Sequence, residues 1–230
     1  MRTLVTGSNR GIGLEYVRQL LARGDQLFAA CRNPEGTPNL GPLKSEYGEK
    51  LTIVKMEVTD PASVSAACDV VSGQVDALDL VINNAAVNPG EEKLGEIKKS
   101  DLMHTFEVNV AGVMLVSQQF ADLLKRGEKP RLVNISSGAG SIEQGGPGMY
   151  SYRVSKAALN MFNRVLYQDL KPLGIISIVL NPGWVITDMG GPNAHLQPED
   201  SIRQQLQVID SLTMDDTGSF KDYTGGELPW

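Results

Sequence analysis

Six short apolar runs recur through the chain: TLVT (3–6), QLFAAC (26–31), LTIVKMEV (51–58), LDLVINN (78–84), RLVNIS (131–136) and IISIVL (175–180). They are too short for helices and rich in β-branched residues, so they read as strands. Both faces of these strands are apolar. A strand of that kind needs cover on both sides, which is the situation in a parallel sheet between helix layers. The intervals supply the cover. Ile12, Tyr16, Val17, Leu20 and Leu21 recur at helical spacing, with Glu15, Arg18 and Arg23 opposite them and Gly24 as a stop. Asp60 and Pro61 read as N-cap and first residue of another helix. Longer helical patterns occupy 101–126 and 152–170. This alternation predicts a doubly wound α/β fold of Rossmann type. The tail GSFKDYTGGELPW (218–230) reads as a seventh strand, a Gly-Gly turn and a pinned end. No repeat, linker or low-complexity tract interrupts the pattern. Residues 1–230 are therefore expected to form one domain, with 187–212 as helical segments over the carboxyl edge of the sheet.

Composition excludes more than it assigns. The 21 Lys+Arg against 27 Asp+Glu give a net charge of −6, which argues against nucleic-acid and membrane-surface partners. No stretch approaches the ~18 apolar residues of a membrane span. The start, MRTLVTGSNRG, lacks the regions of a signal peptide. Cys31 and Cys68 have neither disulfide-framework nor metal-ligand spacing, and His104 and His195 have no partner pattern. The expectation is a cytoplasmic protein with free thiols and no metal site.

Between the first strand and first helix lies VTGSNRGIG (5–13). Gly7, Gly11 and Gly13 let a backbone approach a pyrophosphate closely, and the helix N-terminus offers free N–H groups and partial positive charge. A carboxylate at the end of the second strand would select NAD by bonding the ribose 2′-hydroxyl. Here Cys31 stands at that point, Arg32 follows it, and Arg10 lies in the glycine loop. Two guanidinium groups in place of an acid favour a 2′-phosphate, hence NADP(H).

TGSNRGIG (6–13), NNAA (83–86), Asn109 in EVNVAG, NISSGAG (134–140), Tyr152 and Lys156 in YRVSK, and NPGWVITDM (181–189) together resemble the short-chain dehydrogenase/reductase family, in that family's order and over almost the whole chain. PGWVITDMGG and the GGELPW end are similar to its small carbonyl-reductase branch, which includes sniffer-type reductases and bacterial C-factor signalling proteins. The resemblance implies that Gly7, Asn9, Arg10, Gly11, Ile12, Gly13, Arg32, Glu57, Val58, Asn83 and Ala85 hold the coenzyme. It also implies coenzyme contacts from Pro182, Gly183, Val185 and Thr187 and from Tyr152 and Lys156. Two positions depart from the family pattern. Ala86 replaces a usual Gly, and Glu57 stands where an Asp commonly meets the adenine.

The stretch GMYSYRVSKAA (148–158) offers two tyrosines. Unperturbed Tyr and Lys both titrate near pH 10. A lysine four residues on shares a helix face with its tyrosine, and its charge favours the phenolate, as does an oxidised nicotinamide. Tyr152 has Lys156 at that distance; Tyr150 has Val154. Tyr152 is thus the candidate acid/base. By resemblance, a serine after the fifth strand bonds the substrate oxygen. Ser136 and Ser137 compete for this role, and the second is the usual donor. Asn109 holds, by the same resemblance, a water that connects Lys156 to solvent. The expected activity is NADP(H)-dependent interconversion of a carbonyl and an alcohol, with an apolar or aromatic substrate. The alternative is a dinucleotide-binding signalling protein of C-factor type. Val113, Leu115, Val116, Phe120, Leu159, Phe162 and Leu166 on the 101–126 and 152–170 patterns are candidates for a homodimer interface, or else cover the sheet.

Overall fold

A computed structural model describes residues 1–230. Its strands are β1 (Arg2–Thr6), β2 (Gln26–Cys31), β3 (Leu51–Lys55), β4 (Leu80–Asn83), β5 (Arg131–Ile135), β6 (Ile176–Asn181) and β7 (Phe220–Asp222). They form one sheet in the order β3-β2-β1-β4-β5-β6-β7. Every neighbouring pair is parallel. The helices are α1 (Gly11–Arg23), α2 (Leu40–Tyr47), α3 (Pro61–Ser72), α4 (Lys99–Phe106), α5 (Gly112–Lys125), α6 (Tyr150–Leu170) and α7 (Pro198–Ser211). This is the expected doubly wound α/β sheet. No helix is long and apolar enough to cross a membrane.

Period-two alternation divides the core. Val5, Leu27, Ala29, Ile82, Val133 and Ile178 pack with α1 and α7 on one face. Leu4, Phe28, Ala30, Val81 and Leu132 pack with α3 and α5 on the other. Asp60 caps α3 by accepting the Ala62 N–H at 3.0 Å, with Pro61 as first residue. Gly24 closes α1 in the left-handed conformation, at φ 97°.

Several expectations are corrected. The third strand stops at Lys55, so Glu57 and Val58 lie in the turn before α3. Helix α2 was not anticipated, because Gly41 and Pro42 look like turn residues; Pro42 sits in the first turn, where no N–H is needed. The 101–126 pattern is broken by a π-helical segment, Glu107–Ala111, between α4 and α5. Of the residues that could either face a second copy or cover the sheet, Val113, Val116, Phe120 and Leu159 are buried, and Leu115 and Leu166 pack against the core, which leaves the dimer itself open to either outcome. The apolar residues that α6 leaves exposed are Val154, Met161 and Val165.

Candidate active site

Strand order reverses between β1 and β4, so the segments leaving their carboxyl ends part around a crevice. The glycine loop forms one wall. Gly7 and Gly11 are left-handed, at φ 64° and 53°. A Cβ on Gly7 would meet the Ala85 Cα at 2.8 Å, and one on Gly13 would strike the Gly7 carbonyl. Gly7 and Gly13 thus let β1, α1 and the end of β4 close on each other. Thr6 and Asn84, which lie within the motifs but carry no role in the sequence reading, tie this corner together. The Thr6 hydroxyl accepts the Asn84 and Ala85 N–H groups, both at 3.0 Å. The Asn84 amide donates to the Thr6 and Gly7 carbonyls at 2.9 and 3.1 Å. Arg10, the N-cap of α1, makes no side-chain capping bond, and the first turn carries no acid. The first N–H groups of α1 are therefore free of a side-chain acceptor, and the loop fits a pyrophosphate.

Each of the two arginines expected to meet the coenzyme has an acidic neighbour. Arg32 lies 3.9 Å from the half-buried Glu57, and Arg10 lies 3.7 Å from Asp188, with both arginines and Asp188 exposed. Glu57 also accepts from the Thr59 N–H and hydroxyl, at 3.3 and 3.1 Å. Val58 is buried under Gly112, whose Cβ would meet it at 2.8 Å. Asn9 accepts from the Asn39 amide through its carbonyl. Ile12 packs against the α1-side core. Asn83 does not fit its expected part: its amide donates to Ser117 and Asn134 at 3.1 and 2.8 Å, inside the protein. Alternation along β4 turns Asn83 inward and leaves Asn84 to face the glycine loop.

After β6 the chain turns at Pro182 and Gly183. Gly183 has φ 79°, and a Cβ there would collide with Leu196 and Tyr223. The Pro182 carbonyl accepts from Ser201 on α7 at 2.7 Å. Val185 is buried and bridges to Leu196. The Thr187 methyl would lie 3.5 Å from a Cβ on Gly11, so this segment faces the glycine loop across the crevice.

The remaining candidates meet at the carboxyl end of β5. Ser136 is buried and donates to Asn160 at 2.6 Å, turned back into the structure. Ser137 is half-buried and accepts the Ala139 N–H at 3.1 Å. Asn181 holds the next turn, accepting the Gly138 N–H at 3.1 Å. A Cβ on Gly140 would meet the Lys156 Cβ at 2.8 Å, so this glycine lets the loop lie directly on α6. Tyr152 and Lys156 project from successive turns of α6. Burial pushes the Tyr152 phenol up, and the neighbouring Ser137 hydroxyl opposes this. Lys156, 2 % exposed, is pushed down to about 7 by burial. Burial thus sets the direction for Tyr152 in this structure, opposite to the lowering that the charge of a nearby lysine alone would give. Tyr150 is exposed at the first position of α6.

Asn109 sits in the π segment, fully buried. Its side chain clamps Val87, accepting the N–H and donating to the carbonyl, both at 2.9 Å, and it donates to Ser155 at 3.0 Å. Both amide donors are used, which leaves one lone pair of Oδ1 for a further donor.

Residues 2–197 match the family model described as short chain dehydrogenase. The chain belongs to that family. Among its relatives, C-signal of Myxococcus xanthus is 42 % identical over 71 % of this chain and 98 % of its own. The NADPH-bound carbonyl reductase from chicken fatty liver superposes with a TM-score of 0.94 at 37 % identity, covering 100 % of this chain and 98 % of the other. Carbonyl reductase Sniffer of D. melanogaster superposes with a TM-score of 0.95 at 31 % identity, covering 100 % and 99 %. The chain is thus an oxidoreductase-family member with carbonyl reductases among its structural neighbours.

Proposed function

We propose that this protein reduces an aldehyde or ketone to an alcohol with NADPH, or runs the reverse reaction, with Tyr152 as acid/base. The observation that carries the reading is the convergence of Ser137, Tyr152 and Lys156 at the carboxyl end of β5, in a sheet whose glycine loop leads into an uncapped helix. Gly7, Gly11 and Gly13 with the α1 N-terminus would hold the pyrophosphate, and Arg10 and Arg32 the 2′-phosphate. The segment Pro182–Thr187 would hold the nicotinamide end. When bound, NADP(H) supplies or accepts the hydride.

Ser137 donates a hydrogen bond to the carbonyl oxygen. Tyr152 gives that oxygen its proton as negative charge develops there, and the electron pair of its O–H bond stays on the phenolate. A tyrosine held protonated by burial suits the reducing direction. Lys156, when charged, stabilises the phenolate and bonds the nicotinamide ribose. Asn109 fixes Val87 and Ser155 around this centre. Ile142 and Trp184, large and exposed on the segments after β5 and β6, support an apolar or aromatic substrate.

The 42 % identity to C-signal favours a second reading, a signalling protein in which turnover is secondary. Acid/base groups in one place weigh against it, since a sensor does not need them. The deciding experiment follows NADPH absorbance with a panel of aldehydes and ketones. Turnover that disappears in Tyr152→Phe supports the enzyme. No turnover with any member, while NADPH still binds, would sink it.

A further inference from the structure

Glu92 lies on the segment after β4, 59 residues before Ser151. It is 7 % exposed, a depth at which a carboxylate is costly unless hydrogen-bonded. Both oxygens bind one residue: the Ser151 N–H donates to Oε2 and the Ser151 hydroxyl to Oε1, each at 2.7 Å. Ser151 is the second residue of α6, fully buried and adjacent to Tyr152. The chain reaches α6 by an awkward path. Gly148 and then Met149 are left-handed, at φ 69° and 49°. Left-handed backbone at a non-glycine residue is strained and persists only where its surroundings hold it. Met149, as N-cap, provides no side-chain bond to the helix. Glu92 replaces the missing local cap from a distant segment.

The same segment is fixed at its other end, where Asn109 clamps Val87 and reaches Ser155. Residues 87–92 are therefore tied to α6 at Ser151 and, through Asn109, at Ser155, on either side of Tyr152. We propose that Glu92 is a positioning residue for Tyr152: its paired bonds to Ser151 hold the first turn of α6 so that the phenol stays against Ser137. This rests on the reading of Tyr152 as proton donor.

The test compares Glu92→Ala, Glu92→Gln, Ser151→Ala and Tyr152→Phe in the full chain. Each is assayed with NADPH and the carbonyl compound that the panel selects. Amide hydrogen exchange over 148–156 is measured alongside. Glu92→Ala should lower kcat per folded molecule ~10- to 100-fold, the scale of a small misplacement of a catalytic group. Its KM for NADPH should stay within a few-fold, and exchange at the start of α6 should accelerate. Glu92→Gln can keep both bonds, its oxygen accepting from the N–H and its amide donating to the hydroxyl, and should restore kcat to within a few-fold. Ser151→Ala keeps one bond and should fall between. It carries the test with Glu92→Gln if the alanine variant does not fold. Wild-type kcat in Glu92→Ala or Ser151→Ala, unchanged exchange, or a Glu92→Gln as slow as the alanine variant would each overturn the proposal. An inactive Tyr152→Phe beside an unaffected Glu92→Ala removes this inference alone; an active Tyr152→Phe removes the proton-donor reading beneath it.

Discussion

Lys156 lies beside Tyr152 with its Nζ 5.7 Å from the ring centroid, yet its hydrogen bond goes to the Ile135 carbonyl, at 2.8 Å. The pair is adjacent, as the four-residue spacing requires, but in this structure the lysine is satisfied by β5 and not by the phenol. Burial acts on both groups in the same sense. It pushes the tyrosine up and the lysine down, so both neutral forms are favoured.

This has a consequence for stability. Lys156 titrates at about 7 in the folded chain, against an ordinary value of 10.5. Between those pH values the unfolded chain holds a proton that the native chain lacks. Stability must therefore rise with pH across that window, by up to about 1.4 kcal/mol per unit. The burial cost of the charge is fully present below pH 7 and gone above pH 10.5. Urea unfolding of wild type and Lys156→Met between pH 6.5 and 9 isolates the effect. Taking the difference cancels Cys31 and Cys68, whose thiols burial pushes up. The variant should be the more stable protein at the acid end, and the gap should close as pH rises. A gap independent of pH would show that Lys156 keeps its ordinary titration.

The two serines after β5 should separate cleanly. Ser137→Ala removes a half-buried hydroxyl beside Tyr152 and should lower kcat with little change in stability. Ser136→Ala leaves the buried Asn160 oxygen without its 2.6 Å partner, at a cost of about 1–3 kcal/mol. Its kcat should stay near wild type. Steady-state kinetics and thermal unfolding on both variants check this. The reverse ranking of kcat would mean that Ser136 is the one facing substrate.

Much of this was legible because the sheet is buried on both sides. Two-sided apolar runs marked six strands within a few residues of their ends, and the Gly7–Gly13 loop marked the crevice. The parts that were not legible depend on contacts between distant segments. Nothing in the string distinguishes Asn83 from Asn84, yet one faces Asn134 in the interior and the other the Gly7 carbonyl. Helix α2 carries Gly41 and Pro42 in its first turn, residues that equally mark a loop, so its start is not distinctive in the sequence. The π segment around Asn109 has no periodic signature; a polar residue amid apolar ones was its only sign. Nothing in the sequence around Glu92 points to Ser151, 59 residues on; only the fold brings the two together. The direction of the Tyr152 shift needed burial, which spacing alone does not supply.

Coenzyme choice tests the arginine argument. Arg32 is held only loosely by Glu57, at 3.9 Å with the arginine exposed and the glutamate half-buried, a pair worth little at a solvent-facing site. It is free to exchange that partner for a phosphate. Arg32→Asp should weaken NADPH binding by roughly 1.5–3 kcal/mol, the value of a charge-assisted hydrogen bond, and NADH much less. Titration of NADPH and NADH fluorescence against both proteins measures it. Tighter binding of NADH than NADPH by the wild type would sink the argument before any mutant is made.

The two tyrosines at the start of α6 provide the sharpest test of the chemistry. Tyr152→Phe keeps the ring and removes only the proton donor, so the fold and NADPH binding should survive. Its kcat should fall by at least ~10²–10⁴, the usual contribution of general acid catalysis. Tyr150 is 37 % exposed at the first position of the helix, and Tyr150→Phe should stay within a few-fold of wild type. The pH dependence adds a second measurement on the same residue. Reduction needs the protonated phenol, which burial favours. The reduction rate should therefore hold as pH rises through neutrality and fall only as Tyr152 begins to ionise. Alcohol oxidation needs the phenolate and should gain rate over the range where reduction loses it. A normal rate in Tyr152→Phe together with a dead Tyr150→Phe would place the chemistry on the exposed tyrosine and overturn the assignment made from the spacing of YSYRVSK.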